Sequence, residues 1–146
     1  MKPSPAFEEM NWHDNHVRGF SIREGKSGAG ELVLDIDYIT QWNCEPDHSY
    51  SFLIQPATLT FHEASDLVIT LNYASMTLAL VPPAIHSISR EPYQYPNGYR
   101  EFAWRIEFNV PNGEITFKAS SFSQQARGEA AKSDSQFLPA EVRPGP

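Results

Sequence analysis

Three groups of residues in this sequence have the types and spacing to do chemistry. The first is His13-Asp14-Asn15-His16. Two imidazoles and a carboxylate can hold zinc or iron when a coordination position stays open, and His62-Glu63 offers a further pair. HDNH matches no HExxH-type spacing, however. Asp14 and Asn15 suit local capping of backbone amides equally well, with Trp12 closing the end of the core, and capping is the preferred reading. The second group is Asp35 and Asp37. Aspartate is a poor strand former, yet these two occupy alternate positions of the run ELVLDIDYITQW. Same-face neighbours on a strand stand about 6.6 Å apart, too far to share one ion easily without a third ligand. The expectation is therefore a structural or partner-facing pair, matched by Arg or His, ahead of an acid–base pair. The third group is Tyr93, Tyr95 and Tyr99 in EPYQYPNGY. Tyrosines held by Pro and Gly supply rigid amphipathic contact area for recognition.

Little else carries chemistry. No GxSxG frames a nucleophile, and Cys44 beside Trp42 reads as a partly buried small residue. GKSGAG lacks phosphate-loop spacing. One cysteine makes no internal disulfide and no ligand set, so no cofactor and no metal is implied. The net charge of −7 argues against a nucleic acid or an anionic membrane as partner and leaves room for a basic protein. Without an apolar leader or a run of spanning length, the expected setting is the cytoplasm.

Strands must position these groups. Phe102, Trp104, Ile106, Phe108 and Val110 alternate with polar residues, and Ile115, Phe117 and Ala119 repeat the pattern after PNG. The pair reads as a hairpin with Trp104 and Phe108 in the core. A four-residue loop, Pro111 to Glu114, would set Val110 opposite Ile115, Phe108 opposite Phe117 and Glu107 opposite Lys118. Further runs at 17–22, 31–42, 50–61, 67–73, 76–81 and 85–90 make the chain all-β. The expected architecture is a mostly antiparallel two-sheet sandwich or flattened barrel of seven or eight strands, with little helix. Pro56 interrupts the third run and belongs at an edge, a bulge or a strand junction. A short helical turn is expected at 62–66 and a long loop at 91–98. Residues 1–11 read as a loose lead, 12–123 as a single β domain and 124–146 as a polar tail.

Trp12-His13-Asp14, LDIDY at 34–38, FHEASDLVITL at 61–71 and PNGEITFKASSFSQQAR at 111–127 together resemble a family of small uncharacterised bacterial β-domain proteins. That family is loosely similar in turn to immunity proteins of bacterial toxin systems. The resemblance implies a binding role and carries over no catalytic residues. The resulting first reading is a non-enzymatic protein-binding domain, immunity-like or accessory, using Tyr93, Tyr95, Tyr99, Asp35 and Asp37. The alternatives are a metal-dependent enzyme built on His13, Asp14 and His16, and a small-ligand binder with an aromatic cleft.

Overall fold

A computed structural model of the chain describes residues 6–74 and 79–143. Among these residues the alternating runs become nine strands: β1 (His16–Glu24), β2 (Gly30–Cys44), β3 (Tyr50–His62), β4 (Ser65–Leu71), β5 (Ala84–Gln94), β6 (Arg100–Val110), β7 (Asn112–Ala119), β8 (Ser121–Ala126) and β9 (Ala131–Ser133). All pair antiparallel in one sheet of order β4-β7-β6-β5-β1-β2-β3-β8, with β9 also on β3. Among the described residues helix is confined to three single turns at Phe7–Glu9, Lys26–Gly28 and Ala140–Val142, and no helix there is long and apolar enough to cross a membrane.

The sheet folds over on itself. One layer is β4-β7-β6-β5 and the other β1-β2-β3-β8, joined on one side by a single bridge, His16 opposite Ala84. On the other side, β3 bends into β4 through Glu63 and Ala64, and β7 bends into β8 through Ser120. The Ser120 amide donates to the His62 carbonyl at 3.0 Å and ties the two bends together. Glu63 makes its turn with a φ of 53°. Leu32, Leu34 and Ile36 of β2 and Leu59 and Phe61 of β3 face Trp104, Ile106, Phe108, Ile115 and Phe117 across the core. Phe61 meets Trp104 at 5.0 Å and Phe117 at 4.7 Å, edge to face, the arrangement aromatic quadrupoles prefer. Trp104 is 1% exposed and spends its indole N–H on the Ala119 carbonyl. Truncation to Ala there would cost about 3–5 kcal/mol.

The β6–β7 hairpin keeps the expected faces in a different register. Ile106 stands opposite Ile115, Trp104 opposite Phe117 and Glu107 opposite Glu114. The turn is Val110-Pro111 alone, joined by a cis peptide bond and flanked by Asn109 opposite Asn112. Proline at the second loop position needs no ladder donor, so the tight loop is open to it. Shifting the pairing by four residues preserves the period of two, which is why the faces are unchanged. Gly113 fits because a Cβ there would collide with the Thr70 carbonyl on β4.

Other expectations change as well. The long loop at 91–98 is mostly strand, with β5 running to Gln94 and a tight turn closed by Tyr95–Tyr99 and Gly98–Tyr95 backbone bonds. Gly98 supplies a φ of 90°. Residues 62–66 form the layer-crossing bend and no helical turn. The run at 76–81 falls partly outside the described residues, and 79–81 are not strand. Pro56 sits where the neighbour of β3 switches from β9, paired at 52–54, to β8, paired at 57–62. Its missing N–H is harmless at that junction. The boundary drawn at 123 cuts β8, and the polar stretch beyond it docks: β9 joins the sheet, and Leu138 is buried against Ile39, Phe52 and Ile54. In the lead, Phe7 packs on Trp12, Trp104 and Phe122.

Candidate functional site

Asp35 and Asp37 point outward from β2, and the C-terminal stretch closes over them. Asp37 is fully buried. It accepts from the Leu138 amide at 3.0 Å and from Arg143 Nε at 2.8 Å, with Arg18 at 3.5 Å. Asp35 accepts from both Nη atoms of Arg143, at 3.1 and 2.7 Å, and from Arg127. Arg18 also donates to the Leu138 carbonyl at 3.1 Å. Burial works against the charge on Arg143, yet its bonds to Asp35 and Asp37 outweigh it and hold the guanidinium above the ordinary arginine value. The assignment of Asp37 to a partner-facing surface is therefore corrected. Its carboxylate is consumed in a buried clamp between Arg18, on the neighbouring strand, and Arg143, 106 residues further along the chain.

His13, Asp14 and His16 are adjacent in sequence but are drawn into separate tasks. The His13 ring donates from Nδ1 to the His86 carbonyl at 2.9 Å, and its Nε2 lies 3.4 Å from Asp14. Asp14 accepts from Gln136 at 3.0 Å. The His16 ring lies beside Phe137 at 4.9 Å, its buried Nδ1 has no partner among the described residues, and burial holds it below the ordinary histidine value. Among the described residues no group of three or more His, Cys, Asp or Glu side chains is placed to hold a metal ion. Trp12 does close the core, with its indole N–H on Gln124 at 2.9 Å. Cys44 is exposed at the end of β2 rather than partly buried.

The tyrosines do come together. Tyr93 lies on the outer face of β5 opposite Glu101, and the turn brings Tyr95 against Tyr93 at 4.8 Å and Tyr99 against Tyr95 at 5.7 Å. Lys118 of β7 reaches into this cluster. Its ammonium sits 3.9 Å from the Tyr93 ring centre and 5.3 Å from that of Tyr95, and pairs with Asp66 at 3.1 Å. The negative faces of the rings and one carboxylate thus share a cation. The bond to Asp66 holds Lys118 above the ordinary lysine value, and the bond to Glu101 holds the Tyr95 hydroxyl above that of tyrosine. Tyr99, 44% exposed, donates to Glu63 at 3.4 Å. Beside the cluster runs an open groove of about 470 Å³, floored by Ala103 and Thr116 and flanked by Asp66, Glu91, Arg105 and Lys118. Asp66, Glu91, Glu101, Glu107 and Glu114 lie along this outer face against Arg105 and Lys118, so the face is acidic.

A fourth constellation is absent from the sequence reading. On the outer face of β2-β3-β8, His62 Nδ1 lies 2.8 Å from Glu31 Oε2, and His62 Nε2 lies 2.8 Å from Ser123 Oγ. Glu31 is directly opposite His62, while Ser123 is one diagonal step away, beyond Ser121. A signal did exist. Each of the three follows or precedes a core residue (Leu32, Phe61, Phe122) and so must face outward. What period-two reasoning lacks is the order of the strands, which alone makes them neighbours. Compared with protein-family models and with curated proteins, the chain matches none.

Proposed function

We propose that the chain is a protein-binding domain that takes a basic partner on the outer face of β4-β7-β6-β5. The observation that carries this reading is the exposed tyrosine cluster wrapped around the Lys118 ammonium, beside an acidic groove. A surface that holds one cation in this way offers the same chemistry to another through Tyr99, Glu63 and Glu91, all exposed. Rigid aromatic anchors supply affinity, and complementary charge speeds encounter and rejects wrong partners. The specific form of the proposal is an immunity-like or accessory role against a basic target such as a nuclease toxin. The motif resemblance supports it, and so does the −7 balance. Asp35 and Asp37 leave the proposed surface, because Arg127 and Arg143 neutralise them.

The test is capture of the partner from the native host, followed by binding kinetics. Rising ionic strength should slow association more than it speeds dissociation. Tyr93→Ala, Tyr95→Ala and Tyr99→Ala should each raise the dissociation rate. Salt-independent association, together with unchanged binding by all three variants, would overturn the assignment of this face.

A further inference from the structure

We propose that Glu31, His62 and Ser123 form a nucleophilic acyl-transfer site on the outer face of β2-β3-β8, the layer that does not carry the tyrosines. The two 2.8 Å contacts supply the arrangement such a site needs: a hydroxyl on a base, and the base on a third group that orients it. A carboxylate can only accept, so Glu31 places the imidazole proton on Nδ1 and leaves the Nε2 lone pair toward Ser123. That is the tautomer able to take a proton from Oγ. The three side chains stand on paired strands, which fix their spacing better than loops do. The His62 and Glu31 side chains are 34% and 25% exposed, sheltered but reachable. β8 pairs with β3 alone among the described residues, so alternate N–H groups of β8 lie on an edge with no strand beside it, the kind of donor an oxyanion needs.

The substrate class is a carboxylic ester or thioester with a small acyl group, because Ser123 lies among Thr60, Ser121 and Gln125 on an open face. The leaving group belongs over His62, which must protonate it. A cavity of about 690 Å³ lies there, bounded by Lys26, Ser27, Ala29, Glu31 and Glu63. In the first step Ser123 Oγ bonds to the acyl carbon as its proton passes to Nε2. The carbon–leaving-group bond then breaks, and the leaving group departs with that proton. Water attacks the acyl-serine, giving its proton to Nε2 and then to Oγ, and the carboxylic acid is released. His62 and Ser123 are the catalytic residues, and Glu31 is a positioning residue.

The test uses the full chain, a fluorophosphonate probe read by intact mass, and p-nitrophenyl acetate hydrolysis. Wild type should gain one adduct, mapped to Ser123. Ser123→Ala should gain none while melting as wild type does. His62→Ala should label about 100-fold more slowly or worse, the usual loss of a general base. Glu31→Gln should slow labelling and change its pH–rate profile, which a purely structural role would leave in place. An unlabelled wild type, an adduct on another residue, or ester turnover unchanged in Ser123→Ala would each overturn the proposal and leave a cross-strand polar ladder only.

Discussion

The two outer faces of the sandwich carry similar raw material and put it to opposite uses. Both carry acids at outward strand positions: Asp35 and Asp37 on β2, and Glu101 and Glu107 on β6. On the β2 face, Arg127 and Arg143 arrive from the C-terminal stretch and take both aspartates into a clamp that buries Asp37. On the β6 face, Lys118 meets tyrosine rings and Asp66 at the surface, and the groove beside it stays open. A carboxylate's meaning is thus set by what reaches it. A cation from a remote segment makes it structural, whereas aromatic neighbours at an exposed turn leave the acids around the groove at the surface, where the proposed partner would meet them.

The strongest way to break this contrast is Asp37→Ala. Removing one partner of a buried pair strands the other charge, so a loss of about 3–5 kcal/mol in urea unfolding is expected. The double variant Asp37→Ala/Arg143→Ala should lose less than the two single losses added together, because the pair is coupled. A loss within about 0.5 kcal/mol, as for an ordinary surface site, would mean that the clamp is surface decoration.

A smaller effect sharpens the same face through pH. His16 lies beside the clamp, and burial lowers its folded-state value below 6.5, against the pull of Asp37 and Asp14 and with that of Arg18. The unfolded chain therefore binds the proton more readily. Stability from this group is fully present above pH 6.5 and is lost as pH falls from there through the depressed value. His16→Gln should flatten that part of the melting-temperature profile. An unchanged slope would place the acid sensitivity elsewhere.

The smallest stability effect is expected on the other face. Tyr93→Ala and Tyr99→Ala should shift unfolding by about 0.5 kcal/mol or less, since exposed side chains contribute little. If either costs as much as Asp37→Ala, the tyrosines are fold elements and the contrast between the faces disappears.

Much of the fold was legible because burial on one side imposes a period of two. Trp104, Ile106 and Phe108 needed no partner to be identified as core. Registers were harder to read, because Pro111 can serve a two-residue turn as readily as a longer loop, and faces survive an even shift. The tyrosines at 93, 95 and 99 were legible as a surface because they cluster locally. The Lys118 that they hold, and the arginines that hold Asp35 and Asp37, come from strands and segments placed only by topology. Glu31, His62 and Ser123 are 31 and 61 residues apart, and no local pattern links them.

Pro56, at the point where β3 changes neighbours, has a consequence for the chain before it is fully paired. β3 contains the run SFLIQPATLTF, rich in the residues that self-associate as strands. One edge finds β2 nearby in sequence, but the other is covered, among the described residues, only by strands from 121–133. Until those residues pair, that edge is an exposed template for another copy of itself. A proline at its midpoint removes one donor and divides the template into two short pieces. The residue that the native sheet tolerates at a junction is thus a safeguard against aggregation on the way there.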